Sequence, residues 1–201
     1  YAMSHGLKNE GAKITAQLLE TTDAMEVVNE ILIPALDSAG KLFEQGKIFL
    51  PQLIQTASVA QAAFEVIKTT LIERNAAPVS RGEIVLATVK GDIHDIGKNI
   101  VRVLLENYGY TVLDLGRDVP CQLVADTAKE HGVKLVGLSA LMTTTLGAME
   151  ETIQLVKQSC PDCKIVVGGA VLTADYAEKI GADFYAKDAM ETVAVAKEVV
   201  G

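Results

Sequence analysis

The chain lacks several features that would place it quickly. No stretch of its 201 residues approaches the roughly 20 consecutive apolar residues that cross a bilayer, and no secretory leader is visible. Positive charge is scarce: 18 Lys and Arg face 26 Asp and Glu, a formal net charge of −8, which argues against a general nucleic-acid binder with its basic face. Three cysteines in a chain this long do not make a disulfide framework, so a reduced, cytoplasmic setting is expected. Neither G-x-G-x-x-G nor G-x-x-x-x-G-K-[ST] occurs, which removes the usual phosphate cradles. The absence of G-x-S-x-G, with Ser139 flanked by Leu138 and Ala140, leaves a Ser-His-Asp hydrolase poorly supported. Low-complexity tracts and solenoid repeats are missing too. What remains is an ordinary globular composition, 49% hydrophobic and 22% charged, in a length that suits one large domain or two small ones. The start at Tyr1, without an initiator Met, reads as a piece cut from a longer polypeptide.

Residues 1–74 show no convincing strand. Ile14, Leu18 and Leu19 mark a first helical stripe, and Asp23 with Glu26 three residues on resembles a capping box. Val27, Val28, Ile31 and Leu32 keep helical spacing until Pro34, which is expected to end or kink that helix. Leu36, Ala39, Leu42 and Phe43 continue the stripe, Gly46 supplies a break, and Pro51 fits the first turn of a fourth helix with Leu53, Ala57, Ala60, Phe64 and Ile67 on one face. Four short helices with tight connections predict a small antiparallel bundle. The polar stretch 75–82 reads as a linker. Over 83–201 the pattern alternates: apolar runs at Ile84–Val89, Thr111–Leu115, Leu135–Leu141, Lys164–Val167 and Phe184–Ala186 are followed by helical stretches near 97–108, 121–131, 146–159, 174–180 and 189–200. Five β-α units of this length predict a doubly wound α/β fold: a flavodoxin-like, five-stranded parallel sheet in the order 2-1-3-4-5 with helices on both faces.

Ligands of such sheets bind beyond the carboxyl ends of the strands. Three strand ends here carry unusual residues. After the first comes Gly91-Asp92-Ile93-His94-Asp95-Ile96-Gly97, at the third Ser139-Ala140-Leu141-Met142-Thr143-Thr144-Thr145, and after the fourth Gly168-Gly169. The first, third and fourth strands are consecutive neighbours in the predicted order, so the three segments would line one edge. A neutral imidazole binds a metal through one ring nitrogen while a carboxylate on the other fixes its tautomer, and Asp92 and His94 could supply that pair. The second segment offers small hydroxyls, and the third bare backbone that a bulky molecule can approach. A single small metal ion would need more ligands and no glycine-lined space; a large cofactor with a buried tail would want all three. Taken singly, Gly168-Gly169 reads as a tight βα turn, Ser139 as a satisfied core hydroxyl, and His5 and His131 as solvated surface positions. Cys160-Pro161-Asp162-Cys163 sits before a strand, not at the helix start that a thioredoxin-type pair needs, and has no second pair for zinc. Cys121, near a helix start, reads as a small packing residue.

Asp92-x-His94-x-x-Gly97, Ser139-x-Leu141 and Gly168-Gly169 together resemble the cobalamin-binding signature of B12-dependent methyltransferases and mutases. The stretch Phe43–Gln52, together with DIHDIGKNIV and DLGRDVP, is similar above all to the cobalamin-binding region of methionine synthase. The resemblance covers essentially the whole chain and implies a helical cap over 1–74 and a cobalamin-binding α/β domain over 83–201. It further implies that His94 is the lower ligand of cobalt, replacing the cofactor's own dimethylbenzimidazole, and that Asp92 hydrogen-bonds His94. Thr145 would complete a proton relay where methionine synthase commonly has serine. The displaced nucleotide tail would thread beside Gly97, Ser139, Leu141, Thr143, Gly168 and Gly169, with Gly91, Ile93 and Asp95 among the cofactor contacts. Ala189 matches a position near the far end of the cofactor, and Phe43 and Leu50 match apolar cap residues that cover the cobalt-bound methyl group of methylcobalamin.

The function this implies first is a corrinoid methyl carrier. It belongs to a methionine synthase type of enzyme, with methyltetrahydrofolate as donor and homocysteine as acceptor, and without substrate-binding domains of its own in this stretch. The runner-up is a stand-alone corrinoid protein of a methylamine, methanol or methoxyaromatic system. An adenosylcobalamin mutase module would need a large barrel partner, and a B12 sensor a basic DNA-binding stretch; neither is seen. Expected partners are methyl-donor and methyl-acceptor methyltransferase domains or subunits, with room for a reactivation partner and none for nucleic acid or membrane.

Overall fold

The alternating apolar runs become parallel strands. The computed structural model describes residues 1–73 and 80–201; apart from Ser80, Arg81 and Gly82, the linker expected over 75–82 lies outside the described residues. Strands β1 (Glu83–Thr88), β2 (Thr111–Asp114), β3 (Leu135–Ser139), β4 (Lys164–Gly168) and β5 (Phe184–Tyr185) form one five-stranded sheet in the order β2-β1-β3-β4-β5. That is the flavodoxin-like order, and every adjacent pair is parallel. The crossovers are the helices α5 (Ile96–Asn107), α6 (Cys121–His131), α7 (Leu146–Ser159) and α8 (Ala174–Lys179), with α9 (Ala189–Val199) closing the chain.

A sheet covered on both faces needs apolar residues at consecutive strand positions. In β1, Val85 and Ala87 turn to a core built with Val136 and Leu138 of β3, Ile165 and Val167 of β4, Val124 and Ala128 of α6, and Met149 and Ile153 of α7. The residues between them, Ile84, Leu86 and Val166, are equally buried. The register sets Thr88 opposite Ser139 and Ser139 opposite Gly168, so the carboxyl ends of β1, β3 and β4 come level with one another. β3 stops at Ser139, two residues short of the expected end, because the amides of Leu141 and Met142 leave the ladder for a side-chain acceptor.

The N-terminal residues form helices only: α1 (Lys8–Leu18), α2 (Ala24–Glu26), a π-helical segment (Val27–Leu32), α3 (Ile33–Glu44) and α4 (Leu50–Glu73). The break expected at Pro34 is absorbed within one helical run over 24–44. Proline has no N–H and crowds the preceding turn, and the run widens just ahead of it, where the Ile33 N–H donates to the Val28 carbonyl in a π-type turn. Leu19, Val27, Val28 and Leu32 pack with Ala63 and Ile67 of α4, and α1 lies so close to α4 that a Cβ at Gly11 would sit 2.4 Å from a Val59 methyl. Ile14, Ile31 and Leu42, read as members of the apolar stripes, are exposed. Contact density divides the described residues into two compact units, Tyr1–Ser80 with Glu106–Gly109 and Arg81–Leu105 with Tyr110–Gly201. No helix among the described residues is long and apolar enough to cross a membrane.

Candidate functional site

Beyond β1 the chain turns at Gly91, whose φ of +84° is open to glycine without strain. The Asp92 N–H then donates back to the Val89 carbonyl at 3.0 Å, which drives the Asp92 side chain inward. It is wholly buried. Its Oδ1 accepts from the backbone N–H of His94 at 3.0 Å and meets His94 Nδ1 at 2.8 Å. Its Oδ2 accepts from the amides of Leu141 at 2.7 Å and Met142 at 3.1 Å, and lies 3.2 Å from the Thr145 hydroxyl. Burial alone would push this carboxyl up. The bonds from the His94 amide, the Leu141 amide, the His94 ring and the Met142 amide outweigh it and hold the pKa down, from 3.8 to about 2.

An ionised carboxylate only accepts, so His94 Nδ1 carries a proton, and in the neutral ring the lone pair is then on Nε2. The His94 side chain is 46% exposed, which leaves that nitrogen free to meet a ligand. A buried anion thus fixes the tautomer and direction of a half-exposed imidazole, the second-shell arrangement found behind metal-binding histidines. Asp95 holds the N-cap position of α5, its carbonyl accepting from the Asn99 amide at 2.8 Å. Thr145 is buried, and its single hydroxyl proton has two acceptors, the Met142 carbonyl at 2.8 Å and Asp92 Oδ2.

The three strand-end segments do come together at one edge of the sheet, but their glycines differ in kind. Gly169 has φ +136°, and a Cβ there would fall 1.9 Å from the Ala140 carbonyl oxygen; a Cβ at Gly168 would meet the Ala186 oxygen at 3.0 Å. Neighbouring backbone requires glycine at Gly169 and crowds Gly168 more mildly, in keeping with a tight turn. Gly97 has nothing within 4 Å of where a Cβ would stand, so its missing side chain opens space beside His94. On the same loop Ile93 and Ile96, and beyond the end of β3 Leu141 and Met142, are exposed, apolar area of the kind that marks a ligand groove. Thr143 is exposed and Ser139 half-buried at the same edge. One further group fits a large polar-tailed ligand: Thr88 Oγ1, fully buried at the end of β1 and opposite Ser139, has no hydrogen-bond partner among the described residues. Such an orphan costs about 1–3 kcal/mol until something pairs with it.

The remaining sequence-predicted residues are placed as follows. Ala189 opens α9 beyond β5, half-buried, behind Asp188, which caps the helix by accepting from the Met190 and Glu191 amides. Phe43, in the last turn of α3, and Leu50, the first residue of α4, belong to the helical unit and are half-buried, with Phe49 between them 72% exposed. Cys160 and Cys163 lie in the turn before β4, and burial, then the neighbouring Cys160, pushes the Cys163 thiol up to about 12. His131 pairs with Glu83 at 3.0 Å.

Sequence reasoning passed over the Met142 amide, the Thr88 hydroxyl, Asp118, and the pair Lys98 and Asp114. Lys98 is buried and its Nζ lies 2.5 Å from Asp114, which Arg102 also reaches at 3.1 Å. The Asp114 carboxyl, raised by burial, is held below its ordinary value by Lys98, the Gly116 amide and Arg102. Lys98 and Asp118 both stood in the DIHDIGKNIV and DLGRDVP stretches, which were the signal to follow.

Comparison with known proteins bears on what this edge holds. The B12 binding domain family matches residues 82–194, and a second family of the same description matches residues 1–68. The chain belongs to the B12-binding family. Dimethylamine corrinoid protein 1 of Methanosarcina acetivorans is 43% identical over 180 residues, covering 89% of this chain and 84% of that protein. The crystal structure of a cobalamin-binding protein from Desulfitobacterium hafniense superposes with a TM-score of 0.81 at 32% identity, over 100% of this chain and 96% of the other. The methanol:cobalamin methyltransferase complex of Methanosarcina barkeri matches with a TM-score of 0.84 at 28% identity, over 98% of this chain and 76% of that one.

These relatives correct one expectation. The B12-binding chain is not read as the cobalamin region of methionine synthase, nor as part of an enzyme of that type, because the relatives that match it nearly end to end are corrinoid proteins of methylamine systems. The physical reason is that the expectation rested on residues 43–52 and on the DIHDIGKNIV and DLGRDVP stretches, none of which offers a group chosen for a methyl donor or acceptor.

Proposed function

We propose that this B12-binding protein is a corrinoid carrier that exchanges a methyl group with separate methyltransferase subunits of a methylamine-type system, in a reducing cytoplasm. The observation that carries the reading is the buried Asp92 carboxylate gripping Nδ1 of a half-exposed His94, which leaves Nε2 as a free ligand at the edge where such folds bind. The likeness to the dimethylamine corrinoid proteins supports the methylamine side of the reading.

In this reading His94 would hold the cobalt of cobalamin through Nε2. Gly97 and the apolar Ile93 and Leu141 make room for and flank the macrocycle, with Gly91 and Asp95 shaping the loop. Ser139, Thr143, Gly168, Gly169 and Ala189 line the path of the nucleotide tail, and the orphan Thr88 hydroxyl has its partner there. Residues 1–74 would serve as a helical cap, with Phe43 and Leu50 its apolar residues for the methyl group, and 83–201 as the cofactor-binding domain. When bound, cobalamin supplies the metal centre that takes and gives the methyl group. The chain's own residues hold and time. Asp92 keeps the proton on Nδ1, so Nε2 is always the nitrogen presented. A proton gained at Nε2 leaves an imidazolium facing the Asp92 carboxylate at 2.8 Å. Thr145 can then turn its hydroxyl proton between the Met142 carbonyl and Asp92 Oδ2, adjusting the negative charge that His94 feels.

The test is to load wild type and His94→Ala with methylcobalamin and compare their absorbance, then supply a methylamine methyltransferase partner with its substrate. The expected results are a base-off, histidine-ligated spectrum that His94→Ala loses, and methylation of the wild type. Identical spectra defeat the assignment of His94; histidine ligation without any methyl transfer from methylamines defeats the assignment of the system.

A further inference from the structure

Asp118 is the one non-glycine residue with positive φ among the described residues, at +52°. Aspartate tolerates this left-handed conformation better than most residues, but as a single position held by its surroundings. It lies in the loop between β2 and α6, which runs along the end of β1: the Val119 N–H donates to the Thr88 carbonyl at 3.1 Å, and Val89 and Val119 form a parallel bridge. From there both polar ends of Asp118 reach the loop that carries His94. Its carboxylate Oδ1 accepts from the Gly91 N–H at 2.7 Å, and its own N–H donates to the Asp92 carbonyl at 2.9 Å. A plain turn residue would satisfy groups in its own turn; these belong to Gly91 and Asp92, on the loop after β1.

We infer that Asp118 is a positioning residue for His94: it clamps the Gly91–Asp92 unit on both sides and so sets where the Asp92 carboxylate, and through it the imidazole, points. Gly91 needs such a clamp, because a glycine at φ +84° has no side chain to hold its conformation. Asp92 is where the effect is read, because one displacement of its backbone shifts Oδ1 against His94 and Oδ2 against Leu141 and Met142 together. The left-handed φ lets the Asp118 N–H and carboxylate face the same loop at once, and local strain of this kind persists where the surroundings over-determine it. The inference rests on the reading of His94 as the corrinoid ligand, but the geometry it describes exists without the cofactor.

Two variants separate its two parts. Asp118→Asn keeps an acceptor and a tolerance for positive φ; Asp118→Gly keeps the backbone conformation and removes the acceptor. The first readout is the tautomer of His94 in the cofactor-free protein, from long-range ¹H–¹⁵N correlation. Wild type and Asp118→Asn should hold the proton on Nδ1, and Asp118→Gly should show a mixture. The second is cobalamin affinity by absorbance titration, expected to fall roughly 10-fold in Asp118→Gly, as for other outer-shell partners of metal ligands. In the wild type the exposed Gly91 amide should be protected from hydrogen exchange, a measurement that needs no variant to fold. A Gly91 amide that exchanges as a free one, or an Asp118→Gly protein with the wild-type tautomer, overturns the inference. If His94→Ala leaves the spectrum of the loaded protein unchanged, the ligand reading fails by itself, while the tautomer still decides Asp118.

Discussion

Replacing Asp92 by Asn changes one atom and no shape, yet the contacts around it predict a large effect with a defined pH dependence. The wild-type carboxylate accepts from the Leu141 and Met142 amides on one oxygen and from the His94 amide and ring on the other. Asparagine can keep its oxygen towards Leu141 and Met142, where a donor would face two donors. Its NH2 then faces the His94 N–H at 3.0 Å and Nδ1 at 2.8 Å. The ring can relieve this only by moving its proton to Nε2, which removes the lone pair offered to a metal. The His94 backbone N–H is left without an acceptor, at about 1–3 kcal/mol. The lost charge adds to this: a carboxyl lowered from 3.8 to about 2 on folding contributes about 2 kcal/mol of stability. The folded pKa lies below the unfolded one, so that contribution is fully present above pH 3.8 and disappears as the pH falls towards 2. Asp92→Asn should therefore cost about 3–5 kcal/mol at pH 7 and about 2 kcal/mol less than that near pH 2. The assay is urea denaturation followed by circular dichroism across that range for both proteins, with the His94 tautomer read by NMR at pH 7. A stability difference that does not change with pH, or a variant that keeps its proton on Nδ1, would refute the reasoning.

Other substitutions separate scaffold from site. Gly169→Ala drives a Cβ to 1.9 Å from the Ala140 oxygen at φ +136°, and should cost at least about 3 kcal/mol in thermal or urea denaturation. Gly97→Ala meets nothing within 4 Å and lies in the first turn of α5; the cofactor-free protein should gain roughly 0.5–1 kcal/mol while absorbance titration shows weaker cobalamin binding. Lys98→Met strips a buried partner from Asp114, leaving Arg102 and the Gly116 amide. It should cost about 3 kcal/mol in urea denaturation at pH 7. Since the Asp114 carboxyl is held low in the fold, that cost should shrink as the pH is lowered into the acid range.

Much of the fold was legible because it is written in short-range periodicity. The apolar runs that became β1, β2 and β4 and the stretches that became α5 to α9 were recognised within about two residues at each end, and the switch-point rule then pointed to the loop after β1 as the site. The misjudged details have two causes: a tertiary partner outbid the local signal at β3 and α1, and the backbone itself adjusted at Pro34. β3 ended early because, past Ala140, Asp92 took the amides of Leu141 and Met142. The run over 24–44 survived Pro34 by widening ahead of it, and Ile14 stayed exposed because α1 turns Gly11 and Thr15 inward.

From its residues alone the chain determines an alternating α/β unit that follows a helical one in sequence, and a carboxylate two residues before a histidine, near enough in the chain to pair with it in a suitable turn. Only the tertiary structure decides that the second oxygen of Asp92 meets amides 49 and 50 residues away, that Thr145 shares it, that Asp118 clamps the turn, and that Gly169 yields to the Ala140 carbonyl while Gly97 opens onto space. Local patterns record what each segment prefers. Strand register sets which segments meet, and the strength of the Asp92 carboxylate is a property of that meeting.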